Sequence, residues 1–150
     1  MQCLKLVQNM HKKNIIHRDI KPDNFLLNDL NKLYIIDFGF STKYNQYKTS
    51  KNVIGSYLYC APNVHKDSYV YETKYDIISI YFMFFRLLSK KKLPWEGINY
   101  TRKDCKDIVF YYIKKYCDFK DYYKDEEIVL KFVKSYEHYI YNDRINFDFL

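Results

Sequence analysis

The hydrophobic pattern divides the chain into an opening helix, a small β element and a long helical second half. Leu4, Leu6, Val7 and Met10 recur at helical spacing and predict the end of a helix reaching about Lys12. Residues 17–24 are polar and charged and include Pro22, which predicts a loop. Phe25-Leu26-Leu27 and Leu33-Tyr34-Ile35-Ile36 flank the polar residues 28–32, so two short strands joined by a turn are expected. From Asp37 to about Asn63 no period is visible, and a long loop is predicted. Loops of that length inside compact domains are usually functional or disordered.

The second half reads as helices. Residues 75–88 are apolar on nearly all faces, which predicts a core helix. Pro94 and Gly97 punctuate the loop that follows. Residues 104–116 form a second candidate helix. Ile128, Val129, Phe132, Val133, Tyr136 and Ile140 recur at amphipathic spacing and predict a third. This order of elements implies a mainly α fold with a small β hairpin.

Composition narrows the class. The 150 residues are 48% apolar and 20% aromatic, enough for a sizeable core and against disorder. The length suits one compact domain or part of a larger one. Lys and Arg outnumber Asp and Glu 25 to 18, a net charge of +7. The lysines are scattered among acids, and the longest basic cluster is Lys90, Lys91 and Lys92. A solvated surface is therefore favoured over a nucleic-acid interface. Cys3, Cys60, Cys105 and Cys117 form no C-x-x-C pair, which favours free thiols in a reducing compartment. No signal-peptide run opens the chain. The longest apolar stretch, residues 77–88, is interrupted by Ser79 and Arg86 and falls short of the ~20 residues of a membrane span. An intracellular protein without a membrane partner is expected. Only three glycines occur, Gly39, Gly55 and Gly97, too far apart for G-x-G-x-x-G or a Walker-type loop.

The candidate chemistry lies in two short segments. His17-Arg18-Asp19-Ile20-Lys21-Pro22-Asp23-Asn24 sets a carboxylate two residues from an ammonium on a constrained loop. Asp19 can accept a proton from a hydroxyl, and Lys21 can neutralise a phosphoryl oxygen. Thirteen residues after Asn24 comes Asp37-Phe38-Gly39. Asn24 and Asp37 lie at the base of the predicted hairpin, and their oxygens suit Mg²⁺, which takes a few protein oxygens plus phosphates. Gly39 permits a turn that a side chain would block. Taken singly, each of these residues could be an ordinary loop-capping polar group.

As a set, these motifs resemble the signatures of protein kinases. The closest resemblance is to the casein kinase 1 family, with the vaccinia-related kinases next. It is carried by His17 through Leu26 and by Tyr34-Ile35-Ile36-Asp37-Phe38-Gly39. Gly55-Ser56-Tyr57-Leu58-Tyr59, Ala61-Pro62-Asn63, Leu93-Pro94-Trp95-Glu96-Gly97 and Tyr141-Asn142-Asp143-Arg144 add to it. The resemblance implies a Ser/Thr protein kinase using ATP and Mg²⁺ on a protein substrate. Asp19 would orient the substrate hydroxyl, Lys21 would contact the γ-phosphate, and Asn24 and Asp37 would hold Mg²⁺. Leu26 and Ile36 would floor the adenine, and Ser56 would bond near Asp19 and Lys21. His17, Arg18 and Gly39 would support the site. Asp76 would brace the catalytic loop, act as a helix N-cap, or both.

The resemblance also has departures. Leu58 stands where the family has an arginine of its anion pocket, which removes one basis for a primed-substrate preference. Asn63 replaces the glutamate of the general kinase motif, so an ion pair from there to Arg144 is not available. Arg18 could pair with a phosphorylated Thr49 or Ser50. The sixteen residues before His17 leave no room for a glycine-rich loop, a strand lysine and its helix glutamate. The expectation is one partial kinase domain over residues 1–150. It is a large lobe with catalytic loop 17–24, activation segment 37–63 and helical remainder 75–150, the N-terminal lobe missing. That lobe would come from upstream sequence or another chain, and the chain alone would turn over little. The alternative is a catalytically silent, kinase-derived scaffold.

Overall fold

The computed structural model describes residues 2–44, 49–98 and 106–142. Helix α1 spans Gln2–Lys12 and buries Cys3, Leu4, Val7 and Met10, one face at helical spacing. It ends at Asn14, whose φ of 60° is the left-handed conformation of a helix stop, with its N–H on the His11 carbonyl. Strand β1, Ile15–Ile16, then enters the core.

Strands β2, Phe25–Leu27, and β3, Leu33–Ile35, form the expected hairpin, with Phe25 opposite Ile35 and Leu26 opposite Tyr34. The turn closes on Asn28, whose Oδ1 accepts the Leu30 and Lys32 amides. Gln2 of α1 clamps the hairpin by donating to the Asn31 carbonyl and accepting the Leu33 amide. A second antiparallel pair was not legible in the sequence. Strand β4, Thr42–Lys43, pairs with β1 inside the region expected to be loop alone. Two-residue strands carry no period, so only tertiary pairing defines them.

Helix α2, Thr73–Leu88, is the central element and buries residues on every side, as its continuous apolar character requires. It packs against α1 and against α5, Glu127–Asn142. Helix α3, Lys106–Tyr116, packs on a 3₁₀ turn at Pro62–His65. Helix α4, Phe119–Tyr122, was not anticipated; Asp118 caps it by accepting the Asp121 amide. The core between these helices is aromatic. Phe82 stands edge-on to Trp95 at 4.8 Å, and Phe85 lies 5.2 Å from Phe119. Tyr81 bonds Ser135 of α5 at 2.8 Å.

The buried stripe of α5 is Val129, Val133, Tyr136 and Tyr139. Ile128 and Ile140, counted with the amphipathic face in the sequence, are instead exposed. The fold is thus mostly helical with two small antiparallel sheets. No helix among the described residues is long and apolar enough to cross a membrane. Asp143, Arg144 and the rest of the closing motif, and Cys105, lie outside the described residues.

Candidate active site

Strand β1 delivers His17 into the interior, where its side chain is fully buried. Its Nδ1 accepts the Asp19 amide at 3.3 Å, so the ring proton sits on Nε2 and is donated to the Ile36 carbonyl at 3.0 Å. The next residue, Arg18, has φ of 70°, which a non-glycine residue adopts only when its surroundings enforce it. Asp76 supplies the enforcement. Its Oδ2 accepts the His17 amide at 2.8 Å and its Oδ1 the Arg18 amide at 2.9 Å. His11 Nε2 lies 3.0 Å from the same carboxylate, and the Tyr71 hydroxyl reaches it at 3.5 Å. The N-cap expectation for Asp76 is corrected: Glu72 occupies the cap of α2. Asp76 sits one turn further in, and its carboxylate bonds the loop. The Arg18 guanidinium is engaged by the Phe40 carbonyl, while Ser50 pairs with Tyr69.

Asp19 is buried. Its Oδ2 receives Lys21 Nζ at 2.8 Å and Asn24 Nδ2 at 3.3 Å. Asn24 Nδ2 also donates to the Asp19 carbonyl at 2.8 Å, so the amide fixes both main chain and side chain of the carboxylate. Asp19 Oδ1 is buried and has no hydrogen-bond partner among the described residues. A carboxylate oxygen left so is costly for folding alone. The hydrogen bond to Asp19 pushes the Lys21 ammonium above the usual lysine value, and the charges of Asp23 and Asp37 act in the same direction.

The hairpin sets the other half of the site. The Ile36 amide donates to the Asn24 carbonyl at 2.9 Å, extending the β2–β3 ladder by one pair. Asn24 and Asp37 therefore stand at the same end of the hairpin. Asp37 is exposed, with φ of 60°, and its Oδ1 accepts the Gly39 amide at 3.2 Å. By strand alternation Leu26, Tyr34 and Ile36 share the outer face, and Phe25, Leu33 and Ile35 pack on the core. Leu26 is 52% exposed there. Among the described residues no cluster of three His, Cys, Asp or Glu side chains could hold a metal. Asn24 and Asp37 thus offer two oxygens, the number that leaves a hard cation most of its shell for water and phosphate.

The wall beside Asp19 is the segment that begins at Gly55. Gly55 has φ of 88°, and a Cβ there would lie 2.2 Å from the Arg18 carbonyl oxygen, so only glycine lets the two backbones meet. Ser56 follows, and its carbonyl accepts the Tyr59 and Cys60 amides. No hydrogen bond among the described residues joins the Ser56 hydroxyl to Asp19 or Lys21. Asn63 donates to the Tyr75 hydroxyl at 3.2 Å. A pocket of about 460 Å³ is lined by Gln8, His11, Lys12, Asn14, Tyr44 and Thr73, and its His11 reaches the back of the site through Asp76.

Sequence reading missed one polar cluster next to this wall, formed by Cys60, His65, Asp107 and Lys114. Lys114 falls four residues after Phe110 and shares its buried face of α3, but the apolar run of residues 108–113 marks no single face in the sequence.

Comparison with known proteins places these features in context. The model of the protein kinase domain family matches residues 1–149. A protein of Acanthamoeba polyphaga mimivirus named "Putative serine/threonine-protein kinase R436" is 38% identical over 104 residues. That match covers 67% of this chain and 37% of the viral protein. The chain therefore spans well under two thirds of that relative's length.

Proposed function

Because the chain belongs to the protein kinase domain family, we propose that it carries the acceptor-side machinery of a casein kinase 1-like Ser/Thr kinase. Such an enzyme transfers the γ-phosphate of ATP to a protein hydroxyl. The observation that carries this reading is Asp19 Oδ1, buried and without a hydrogen-bond partner among the described residues, while Oδ2 of the same carboxylate receives Lys21 Nζ at 2.8 Å. A substrate hydroxyl donating to Oδ1 satisfies the orphaned oxygen and is oriented by it. Oδ2, held by Lys21 and Asn24, keeps the carboxylate from rotating away.

Lys21, kept charged by Asp19, lies partly exposed where it can meet a phosphoryl oxygen while still bonded to the base. Asn24 and Asp37 are the residues that would hold Mg²⁺, which when bound neutralises phosphate charge. Leu26 and Ile36 offer an apolar face on which a purine can rest. His17 ties the Asp19 loop to the Ile36 carbonyl between β3 and Asp37, which helps base and metal ligands keep their spacing. The 150 residues hold no glycine-rich loop. In this reading, transfer by the chain alone is slight and a nucleotide-covering lobe must be supplied.

A labelled-ATP assay tests the proposal, using the chain joined to, or mixed with, a small lobe bearing that loop. Transfer to a Ser/Thr protein is expected, reduced at least ~10²-fold by Asp19→Asn. No transfer with the lobe present, or unchanged transfer by Asp19→Asn, sinks the proposal and favours a silent scaffold.

A further inference from the structure

Lys114 lies in the last turn of α3, yet its side chain is fully buried. No carboxylate lies within ion-pair distance of it among the described residues. A cation in that position is retained only if other groups compensate its lost hydration. Its Nζ donates to the Tyr57 carbonyl at 2.6 Å and the Cys60 carbonyl at 2.7 Å. The third donor faces His65 Nε2 at 3.1 Å. His65 Nδ1 in turn lies 3.3 Å from the Asp107 carboxylate, which keeps the proton on Nδ1 and leaves Nε2 an acceptor. Burial, with Lys114 and Lys106 nearby, drives the His65 pKa down to about 2, so the ring stays neutral and accepting. The faces of Trp95 and Phe110, each 5.3 Å from Nζ, and Phe82 at 5.9 Å complete the cage.

Both carbonyls belong to the segment that begins at Gly55 against the Arg18 backbone. A third, Leu58, is taken by Trp95 Nε1 at 2.7 Å. Three carbonyls within four residues are thus held by side chains from outside the segment. The chain of contacts is continuous, from α3 through Lys114 to Tyr57–Cys60, then through Gly55 to Arg18 and Asp19.

We propose that Lys114 is a positioning residue for the acceptor side of the site, fixing the wall of residues 55–61 against the Asp19 loop. The fastening rests on geometry alone; what the wall faces rests on the kinase reading above. Asn63, uncharged, is tied to the Tyr75 hydroxyl just beyond this segment, and the buried ammonium of Lys114 anchors the segment itself by binding main-chain carbonyls.

The test compares Lys114→Met, similar in length but without donors, with the wild type in the lobe-supplemented assay. The expected result is a KM for the acceptor protein about tenfold higher, with KM for ATP nearly unchanged. Equal rises in both, or a fall in kcat with acceptor KM unaltered, would overturn the proposal. If the wild type transfers nothing, the kinase reading fails, and hydrogen exchange on the chain alone decides the fastening. The Tyr59 and Cys60 amides should then exchange at least tenfold faster in Lys114→Met while α2 and α5 stay protected. Unchanged protection at those amides counts against the fastening. Should Lys114→Met not fold, reductive methylation of the native wild type serves instead. Lys114 should remain unmodified while exposed Lys90 and Lys92 react, and reaction at their rate rejects the proposal.

Discussion

Asp76 Oδ1 accepts the backbone N–H of Arg18 at 2.9 Å and holds that residue in a left-handed conformation. The other oxygen takes the amide of His17. One buried carboxylate thus sets the path of the chain just before Asp19. Replacing Asp76 with Asn puts an NH₂ group where one amide donor must be accepted. We expect a loss of about 3 kcal/mol in urea denaturation. A loss below about 1 kcal/mol would mean the loop holds its own shape.

Gly55 and Gly97 both have positive φ, and they separate conformational cost from steric cost. A Cβ at Gly97 meets nothing within 4 Å, whereas one at Gly55 strikes the Arg18 carbonyl. Gly97→Ala should therefore cost about 1 kcal/mol, the strain of the left-handed region alone. Gly55→Ala should cost clearly more and should speed hydrogen exchange around Asp19. Equal Tm losses for the two variants would show that the backbones do not meet there.

The phase of α5 can be tested by truncation. Val133 is fully buried, while Ile128 is 62% exposed. Val133→Ala should cost roughly 1–3 kcal/mol, and Ile128→Ala less than about 0.5 kcal/mol. The reverse order would mean the helix presents its other face to α2.

Stability should depend on pH through the cluster around Lys114. The His65 pKa is depressed by burial and by Lys114 and Lys106, so below pH 6.5 the unfolded chain takes up a proton that the folded chain refuses. Stability from this group is lost as pH falls from 6.5 towards about 2. Lys114, lowered to about 8 chiefly by burial and opposed by Cys60, binds fewer protons folded than unfolded between about 8 and 10.5. Stability from this group should rise with pH across that window. Burial also raises the Cys60 and Cys117 thiols, which act in the opposite direction above about pH 9 in both proteins, so the readout is the difference between wild type and Lys114→Met. That difference should shift in favour of the wild type as pH rises from about 8 to 10.5, and a difference that stays flat would contradict the burial of a charged Lys114.

Much of this was legible before any coordinates. The residues 17–24 and 37–39 motifs pointed to the candidate site through their joint resemblance to the protein kinase signatures, since singly each residue could be an ordinary loop cap. The hairpin and the core helix were visible through their periods. Strand β4 was not, since two residues cannot show alternation and pair only after β1 has been placed by the core. The phase of α5 was misjudged at Ile128 and Ile140 because six apolar residues there cover more than one face, and packing on α2 selects which is buried. In the sequence nothing separates Lys114 from the other scattered lysines. Composition records its charge, and only the fold shows that carbonyls rather than water surround it.

The imidazole of His17 has a mechanical meaning beyond its hydrogen bonds. With one ring nitrogen on the Asp19 amide and the other on the Ile36 carbonyl, it works as a spacer of fixed width between two strands of chain. An aromatic ring cannot stretch or shorten. The main chain that leads into Asp37 and the main chain of Asp19 thus share one brace, set by the width of a single ring.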